Sequence, residues 1–426
     1  MPQSIHAVFV TFAFRLILFG VVLLLQWLVY RRFRRWATTY HPSSRWLLIT
    51  GSSLFLLFNA AFLAILVYRP HALRFPVWFQ VAGVYPFMIW YTSTFFLGLV
   101  FLLVALVKLP FRGALVLGTR LGSLREKWLR LTTSQKFKAF DAQRRQFLRR
   151  GMEGTAAVAF GSSAYGVLVG RFAYETDSKE LVLDRLHPAF DGLTVTFLSD
   201  IHSSVFMTKS EMDEYVRVVN ELKSDLIVVG GDFVNGLTEE VYPFAESFSN
   251  LKASLGIFGV TGNHDYYASD PERVIREVEA CGIKLLHDEK YILRRGDASL
   301  TFLGVDDIGS ARRASERIAV ARKGGTEGAT ILLCHRPYFL PQAAEQGVDL
   351  MLSGHTHGGQ IVLASVGHLA LTPAALASPY VAGEYRHGNS LMYVSRGIGT
   401  VGVPVRLNCP PEVTRFTLRS GRRNVT

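Results

Sequence analysis

Five short stretches of this 426-residue chain place aspartate, asparagine and histidine where such side chains could bind metal. They are Asp200-Ile-His202, Gly231-Asp232, Gly262-Asn263-His264-Asp265, the single His335, and Gly354-His355-Thr356-His357. Imidazole, carboxylate and amide oxygen in one set suit borderline transition metals such as Mn, Fe or Zn, and not Ca²⁺ alone. The donors outnumber what one tetrahedral ion takes. Two divalent metal ions about 3.5–4 Å apart, bridged by a shared carboxylate, fit the count. The histidines of "GHTHGG" are alternate residues at a turn and can serve two neighbouring ions.

Each stretch closes an apolar run. "VTFLS" leads to Asp200, "LIVVG" to Asp232, "IFGVT" to the Asn263 group, "TILLC" to His335 and "LML" to the His355 group. Singly, a histidine after a strand is a hydrogen-bonded surface or core residue and an aspartate is a helix cap. His187, His287, His368 and His387 read in that ordinary way. Five such ends in order point to one site, because ligands of open α/β folds sit beyond the carboxyl ends of the strands. The runs alternate with amphipathic segments. "KSEMDEYVRVVNEL" carries Met212, Tyr215, Val216 and Val219 on one face, and "PERVIREVEACG" opens on Pro and closes on Gly, as a helix does. Alternation of strand and helix predicts an α/β layered domain with largely parallel sheets.

The ordered set D-x-H, GD, GNHD, H and GHTH resembles that of the calcineurin-like metallophosphoesterases. "GHTHGGQI", "YVSRGIGT" and "CPPEV" look like the bacterial, membrane-linked YkuE/YaeI-type branch of that family, and the match spans residues 192–418. The resemblance implies a sandwich of two mixed sheets flanked by helices. It implies that Asp200, His202, Asp232 and His357 hold one metal and that Asp232, Asn263, His335 and His355 hold the other, with Asp232 bridging. By the same resemblance His264 faces the phosphate as general acid or hydrogen-bond donor, and Asp265 orients it. A water between two such ions becomes hydroxide near neutral pH and attacks phosphorus in line.

The first hundred residues are of another kind. Three apolar runs, 8–30, 46–68 and 84–107, have the roughly 20 residues a bilayer crossing takes, with Trp27, Tyr30, Trp46, Tyr68 and Tyr85 near their ends as interfacial anchors. Residues 1–150 hold 20 Lys+Arg against Glu126 and Asp141, whereas the rest hold 26 against 32 Asp+Glu. The positive charge therefore lies on the apolar half, and the folded domain lacks the basic surface a nucleic-acid binder needs. Five arginines follow the first run and twelve Lys+Arg fill 108–150, while only Arg69 and Arg74 lie between the second and third. The positive-inside rule places the amino terminus outside and residue 150 in the cytoplasm. Leu121, Leu124, Trp128 and Leu131 form a short apolar stripe suited to anionic lipid or to packing on the domain. Cys281, Cys334 and Cys409 have no motif spacing and define no compartment.

Residues 144–170, "RRQFLRRGMEGTAAVAFGSSAYGVLVG", resemble a twin-arginine export signal with a weak fourth apolar segment. The expected organisation is a transmembrane region over 1–110, a basic linker with this signal over 111–175, and the metallophosphoesterase domain over 176–426. The leading functional expectation is a hydrolase of the cytoplasmic membrane that cleaves a phosphodiester or pyrophosphate outside the cytoplasm. Its substrate would be a phosphoester, lipid- or envelope-derived, with membrane lipids as partners and no nucleic acid. The alternatives are a cytoplasmic-face pyrophosphatase of the UDP-2,3-diacylglucosamine type and a non-catalytic membrane sensor or scaffold. The retained His264 argues against the last, since a metal-binding scaffold has no need of it.

Overall fold

The computed structural model describes residues 2–68, 76–118, 126, 130, 132–307, 309–367 and 369–421. Described residues up to 164 form one compact unit and those from 165 onward another.

The first unit is helical, with α1 (Pro2–Tyr40), α2 (Arg45–Tyr68), α3 (Tyr85–Gly118) and α4 (Gln135–Tyr165). Among the described residues two helical stretches are long and apolar enough to cross a membrane, Arg45–Ala64 and Gln80–Ala114. They fall on the second and third expected spans. The first expected span lies in α1, where the side chains of residues 2–16 are outside the described set. Polar groups within the unit pair with each other: Gln26 donates to Thr94 at 2.5 Å, and the Tyr91 hydroxyl donates to Asn59 at 3.3 Å. Such pairing is what polar atoms in an apolar setting require. The stripe Leu121, Leu124, Trp128 and Leu131 lies outside the described residues, as does His368. The expected linker is mainly helical where described: α3 runs on to Gly118, and α4 carries Arg144 and Arg145, both paired with Asp141.

The second unit begins at Tyr165, ahead of the expected boundary at 176. Packing explains the difference. Gly166 lies against the Val405 side chain and the Arg406 backbone, and Gly170 lies against the Arg406 carbonyl, too close for a side chain. The buried Arg171 donates to the carbonyls of Val167 and Phe206 and pairs with Glu211.

Two six-stranded mixed sheets form this unit. The first contains β1 (Glu175–Leu183), β2 (Thr194–Leu198), β3 (Leu226–Val229), β4 (Ile257–Gly259), β5 (Lys284–Leu285) and β14 (Glu412–Ser420), ordered β1-β14-β2-β3-β4-β5. The second contains β6 (Glu289–Arg295), β7 (Ala298–Gly304), β8 (Ala329–Leu333), β9 (Leu350–Ser353), β12 (Gly383–His387) and β13 (Ser390–Val394), ordered β12-β13-β9-β8-β7-β6. β2, β3, β4 and β5 are parallel to one another, as are β13, β9, β8 and β7.

Alternation along the strands divides the core. Val195, Phe197, Leu226 and Val228 meet Phe302, Ile331, Leu333, Leu350 and Leu352 between the sheets, and Phe258 stacks on Phe302 at 5.8 Å. The alternate residues Leu198, Ile227 and Val229 face out onto α5 (Lys209–Glu221), α6 (Val241–Phe248) and α7 (Pro271–Ala280). Leu332 and Met351 face out onto α8 (Ala311–Ala321) and α9 (Leu340–Glu345). Strands covered on both faces read as continuous apolar runs, as these do. Thr208 and Glu211 form a capping box at α5, whose Met212, Tyr215, Val216 and Val219 are buried as the spacing predicts. Asp270 caps α7 at the backbone N–H of Arg273, with Pro271 at its first position.

Candidate metal centre

The ends of β2, β3, β8 and β9 bring six of the seven expected metal ligands together, and the turn after β4 carries the seventh, Asn263. The side chains of Asp200, His202 and His357 offer ligand atoms within 4.8 Å of one another, as do Asp232, His335 and His355. A third group, His202, Asp232 and His264, overlaps both. Asp232 Oδ2 is central, 3.2 Å from His335 Nε2 and 3.4 Å from His202 Nε2. His202 and His357 approach Nε2 to Nε2 at 3.0 Å, and His357 Nε2 lies 3.5 Å from Asp200 Oδ1.

The backbone turns sharply to achieve this. Asp200, His202, Asp232, His355 and His357 all have positive φ, between 50° and 75°. Residues with a Cβ rarely adopt that region, and such strain concentrates at functional sites. Close approach adds a glycine requirement at two places. A Cβ on Gly262 would overlap Asp232, and one on Gly354 would overlap Ser199 and Asp200.

Second contacts orient the rings. His335 Nδ1 donates to the Gly230 carbonyl at 2.8 Å, which leaves its Nε2 lone pair aimed at the centre. Asp200 Oδ2, Asn263 Oδ1 and His335 Nε2 are buried and make no hydrogen bond. Buried polar atoms without partners are costly, and a carboxylate, an amide oxygen and an imidazole nitrogen left unpartnered fit a cation. The electrostatics agree. Burial pushes Asp200 up to about 6 and depresses His202 and His355 to about 3, and it holds His357 well below its ordinary value. Burial alone would also raise Asp232, but the positive field of His335, with His202 and His264, keeps it ionised. Burial opposes charge on His335 as well, and Asp232 outweighs it, raising His335 to about 10. A divalent ion would compete for that position with the proton.

His264 sits beside this cluster, partly buried, its ring edge-on to His202 at 4.6 Å. Its backbone N–H donates to Asp232 Oδ1 at 2.8 Å. Asp265 does not orient the His264 ring as expected. Its carboxylate instead accepts the backbone N–H groups of Asp232, Phe233, Val234 and Gly262, bracing two site loops. The His264 ring is held by Asn235, whose carbonyl accepts from Nδ1 at 2.9 Å.

Two supporting residues have no signature in the metal-ligand pattern. Glu240 Oε2 accepts the backbone N–H groups of Asn235, Gly236 and Leu237. Arg406 is buried, no carboxylate among the described residues pairs with its guanidinium, and it donates to the carbonyls of Arg396, Gly397, Gly399 and Cys409. That loop packs on Asp200: Gly399 N–H donates to the Asp200 carbonyl at 2.7 Å. "YVSRGIGT" was the one sequence signal for this loop. The ordinary histidines stay apart from the centre: His187 caps a turn at Ala189, and His287 lies against Asp306.

Residues 193–359 match the family model "Calcineurin-like phosphoesterase". The chain is 30% identical over 299 residues to "Transmembrane protein with metallophosphoesterase domain" of Danio rerio, covering 64% of this chain and 67% of that one. It is 30% identical to "Uncharacterized metallophosphoesterase YkuE" of Bacillus subtilis (strain 168), covering 65% of this chain and 98% of the relative. It is also 30% identical to "Phosphodiesterase YaeI" of Escherichia coli (strain K12), covering 63% and 98%. The chain thus spans about two thirds of the first relative and nearly all of the other two.

Proposed function

The chain belongs to the calcineurin-like metallophosphoesterase family and is a hydrolase, and from that premise we propose that it is a membrane-anchored enzyme with two divalent metal ions that cleaves a phosphodiester or pyrophosphate. The observation that carries the proposal is the pair of clusters Asp200–His202–His357 and Asp232–His335–His355, linked through His202 and Asp232, with Asp200 Oδ2, Asn263 Oδ1 and His335 Nε2 left without hydrogen-bond partners. Asp200, His202 and His357 would hold one ion and Asn263, His335 and His355 the other, with Asp232 shared. Bound there, the ions supply charge to neutralise phosphoryl oxygens and to acidify a water.

The chain's own groups do the rest. Asp265 and Arg406 fix the loops that carry Asp232 and Asp200. A water oxygen, its proton released to solvent, bonds to phosphorus as the bond to the leaving oxygen breaks, and His264 delivers a proton from Nε2 to the leaving oxygen and regains one from solvent. Donation from Nδ1 to Asn235 keeps the ring in the orientation this transfer needs. The anchor is the helical unit with its two candidate spans, placed in the cytoplasmic membrane. The positive-inside pattern and the "RRQFLRR" segment support a catalytic unit outside the cytoplasm.

Asp232→Asn tests the shared position. Full-length protein in detergent is assayed for bound metal by mass spectrometry and for cleavage of bis(p-nitrophenyl) phosphate. The variant is expected to lose both more completely than any other single-ligand change. Unchanged metal content with full activity would end the two-metal assignment.

A further inference from the structure

A small hairpin departs from the rest of the second unit. β10 (Ala364–Val366) and β11 (Leu369–Leu371) pair only with each other and join neither large sheet. Their register sets Ala364 opposite Leu371 and Val366 opposite Leu369, so these four share one face, while Ser365 and Ala370 take the other. Val366 and Leu369 are each 80% exposed and Leu371 is 64% exposed, with Leu363 at 59% and Leu376 at 93% beside them. Elsewhere in this unit large exposed apolar residues gather over residues 165–172, where it begins, and are otherwise scattered as on any soluble surface. A two-stranded hairpin is marginal in water by itself, and a contiguous apolar patch of this kind marks a contact surface.

The hairpin is rooted in the metal-site loop. Thr372, at its return, is buried, and its hydroxyl donates to the Gly359 carbonyl at 3.1 Å, two residues beyond His357. Leu363 N–H donates to the Leu371 carbonyl, and Val362 N–H donates to the Leu407 carbonyl, both at 2.9 Å. The base is therefore fixed beside the site while the apolar tip stands free.

We propose that this hairpin lies in the surface of a lipid bilayer and that the substrate is the phosphoester of an amphiphile presented there. The substrate part rests on the phosphoesterase reading of the site, and the docking part stands without it. Two observations favour a bilayer over a protein partner. The same chain carries helices long and apolar enough to cross a membrane, so a bilayer is always within reach. And no Asp, Glu, Lys or Arg occurs between Asp349 and Glu384, whereas protein interfaces surround their apolar centre with a polar rim. An apolar face without charge lowers easily into the acyl boundary.

The test uses the full chain in nanodiscs of phosphatidylcholine and phosphatidylglycerol, one copy per disc. In a Cys281→Ser background, with Cys334 and Cys409 buried, Val366→Cys carries a bimane label and Asp297→Cys serves as an exposed control. The Val366 label should be quenched by spin-labelled phospholipid and shielded from aqueous iodide severalfold relative to the control. Equal iodide quenching would overturn the proposal. So would shielding without lipid quenching, which would mean that protein covers the tip. Turnover then tests the substrate class, using p-nitrophenyl hexadecyl phosphate in vesicles against soluble p-nitrophenyl ethyl phosphate. Water replaces nitrophenol on phosphorus in both, so only presentation differs. The Val366→Glu, Leu369→Glu double variant should lose about 100-fold or more on the vesicle substrate, the scale of exposing two large apolar side chains, and keep its rate on the soluble one. Equal losses on both would overturn the substrate class. If the wild type cleaves neither diester, the phosphoesterase reading fails and the substrate class with it, while lipid quenching decides the docking surface.

Discussion

The Nδ1 atom of His264 lies 2.9 Å from the carbonyl oxygen of Asn235. A carbonyl only accepts, so Nδ1 carries a proton and donates it, and Nε2 is the atom whose proton can be exchanged. One backbone oxygen thereby assigns the tautomer of the candidate general acid.

His264→Ala should reduce turnover by about 10²- to 10⁴-fold, the usual loss for a positioned acid or a donor to the transition state. Bound metal should stay near the wild-type level. The loss should shrink as the leaving group becomes more acidic, since nitrophenolate departs without a proton and an alkoxide does not. Rates on a series of substituted phenyl and alkyl diesters, with metal content measured in parallel, check this. A variant stripped of metal would make His264 a ligand instead.

Glu240 extends the same chain of contacts. Its Oε2 accepts from the N–H groups of Asn235 and Gly236 at 2.9 Å and of Leu237 at 3.0 Å, and so fixes the loop that presents the Asn235 carbonyl. Burial pushes this carboxyl up to about 7 despite those bonds, so a neutral replacement that keeps the acceptor should be tolerated. Glu240→Ala is expected to lower kcat about tenfold or more through the loss of buried hydrogen bonds, with metal content unchanged. Glu240→Gln should recover most of the rate. Equal kcat in the two variants would mean that Glu240 does not act through this loop.

What the sequence disclosed follows from how local each signal is. An apolar run, a glycine and a metal-ligating side chain are adjacent in the chain, so all five strand ends were legible. β1 and β14 were not, because charged residues interrupt their apolar alternation and their pairing joins Glu175 to Glu412 across the whole domain. The Asp265 assignment failed for a related reason. Its partners are backbone N–H groups, which every residue type supplies, so the motif could not show which groups it meets. Arg406 escaped notice in the same way, since its partners are all carbonyls.

One pH effect lies away from the centre. Asp306 Oδ1 is 3.6 Å from His287 Nδ1 and raises that imidazole above its ordinary value against the pull of burial, with Glu279 and Glu289 adding to the effect. A raised folded-state value contributes stability that is fully present below the unfolded value of about 6.5 and is lost as pH rises through the folded one. His287→Gln should therefore lower Tm at pH 5.5 and do so less at pH 8.5. The half-exposed pair limits the effect to under about 1 kcal/mol. A gap between wild type and variant that is constant with pH would remove His287 from this role.

The side on which the catalytic unit lies can be settled through Arg144 and Arg145. Both point from α4 with side chains 53% and 70% exposed and, among the described residues, pair with neighbouring Asp141, so they are open to recognition by an export machinery. The helix continues past them to Tyr165, and the glycines that follow pack directly into the catalytic unit. Three spans entered from outside would leave residue 150 in the cytoplasm, and the weakly apolar 151–170 would cross only with help. A twin-arginine route supplies that help and carries folded domains, which suits a site assembled from five distant strand ends. Replacing Arg144 and Arg145 by lysine keeps the charge and removes the guanidinium pair. A cytoplasm-active fluorescent reporter fused after Thr426 should be dark in the wild type and bright in this double variant. A reporter already bright in the wild type would place the catalytic unit in the cytoplasm, and substrates of the inner leaflet, including nucleotide-linked lipids, would then come first.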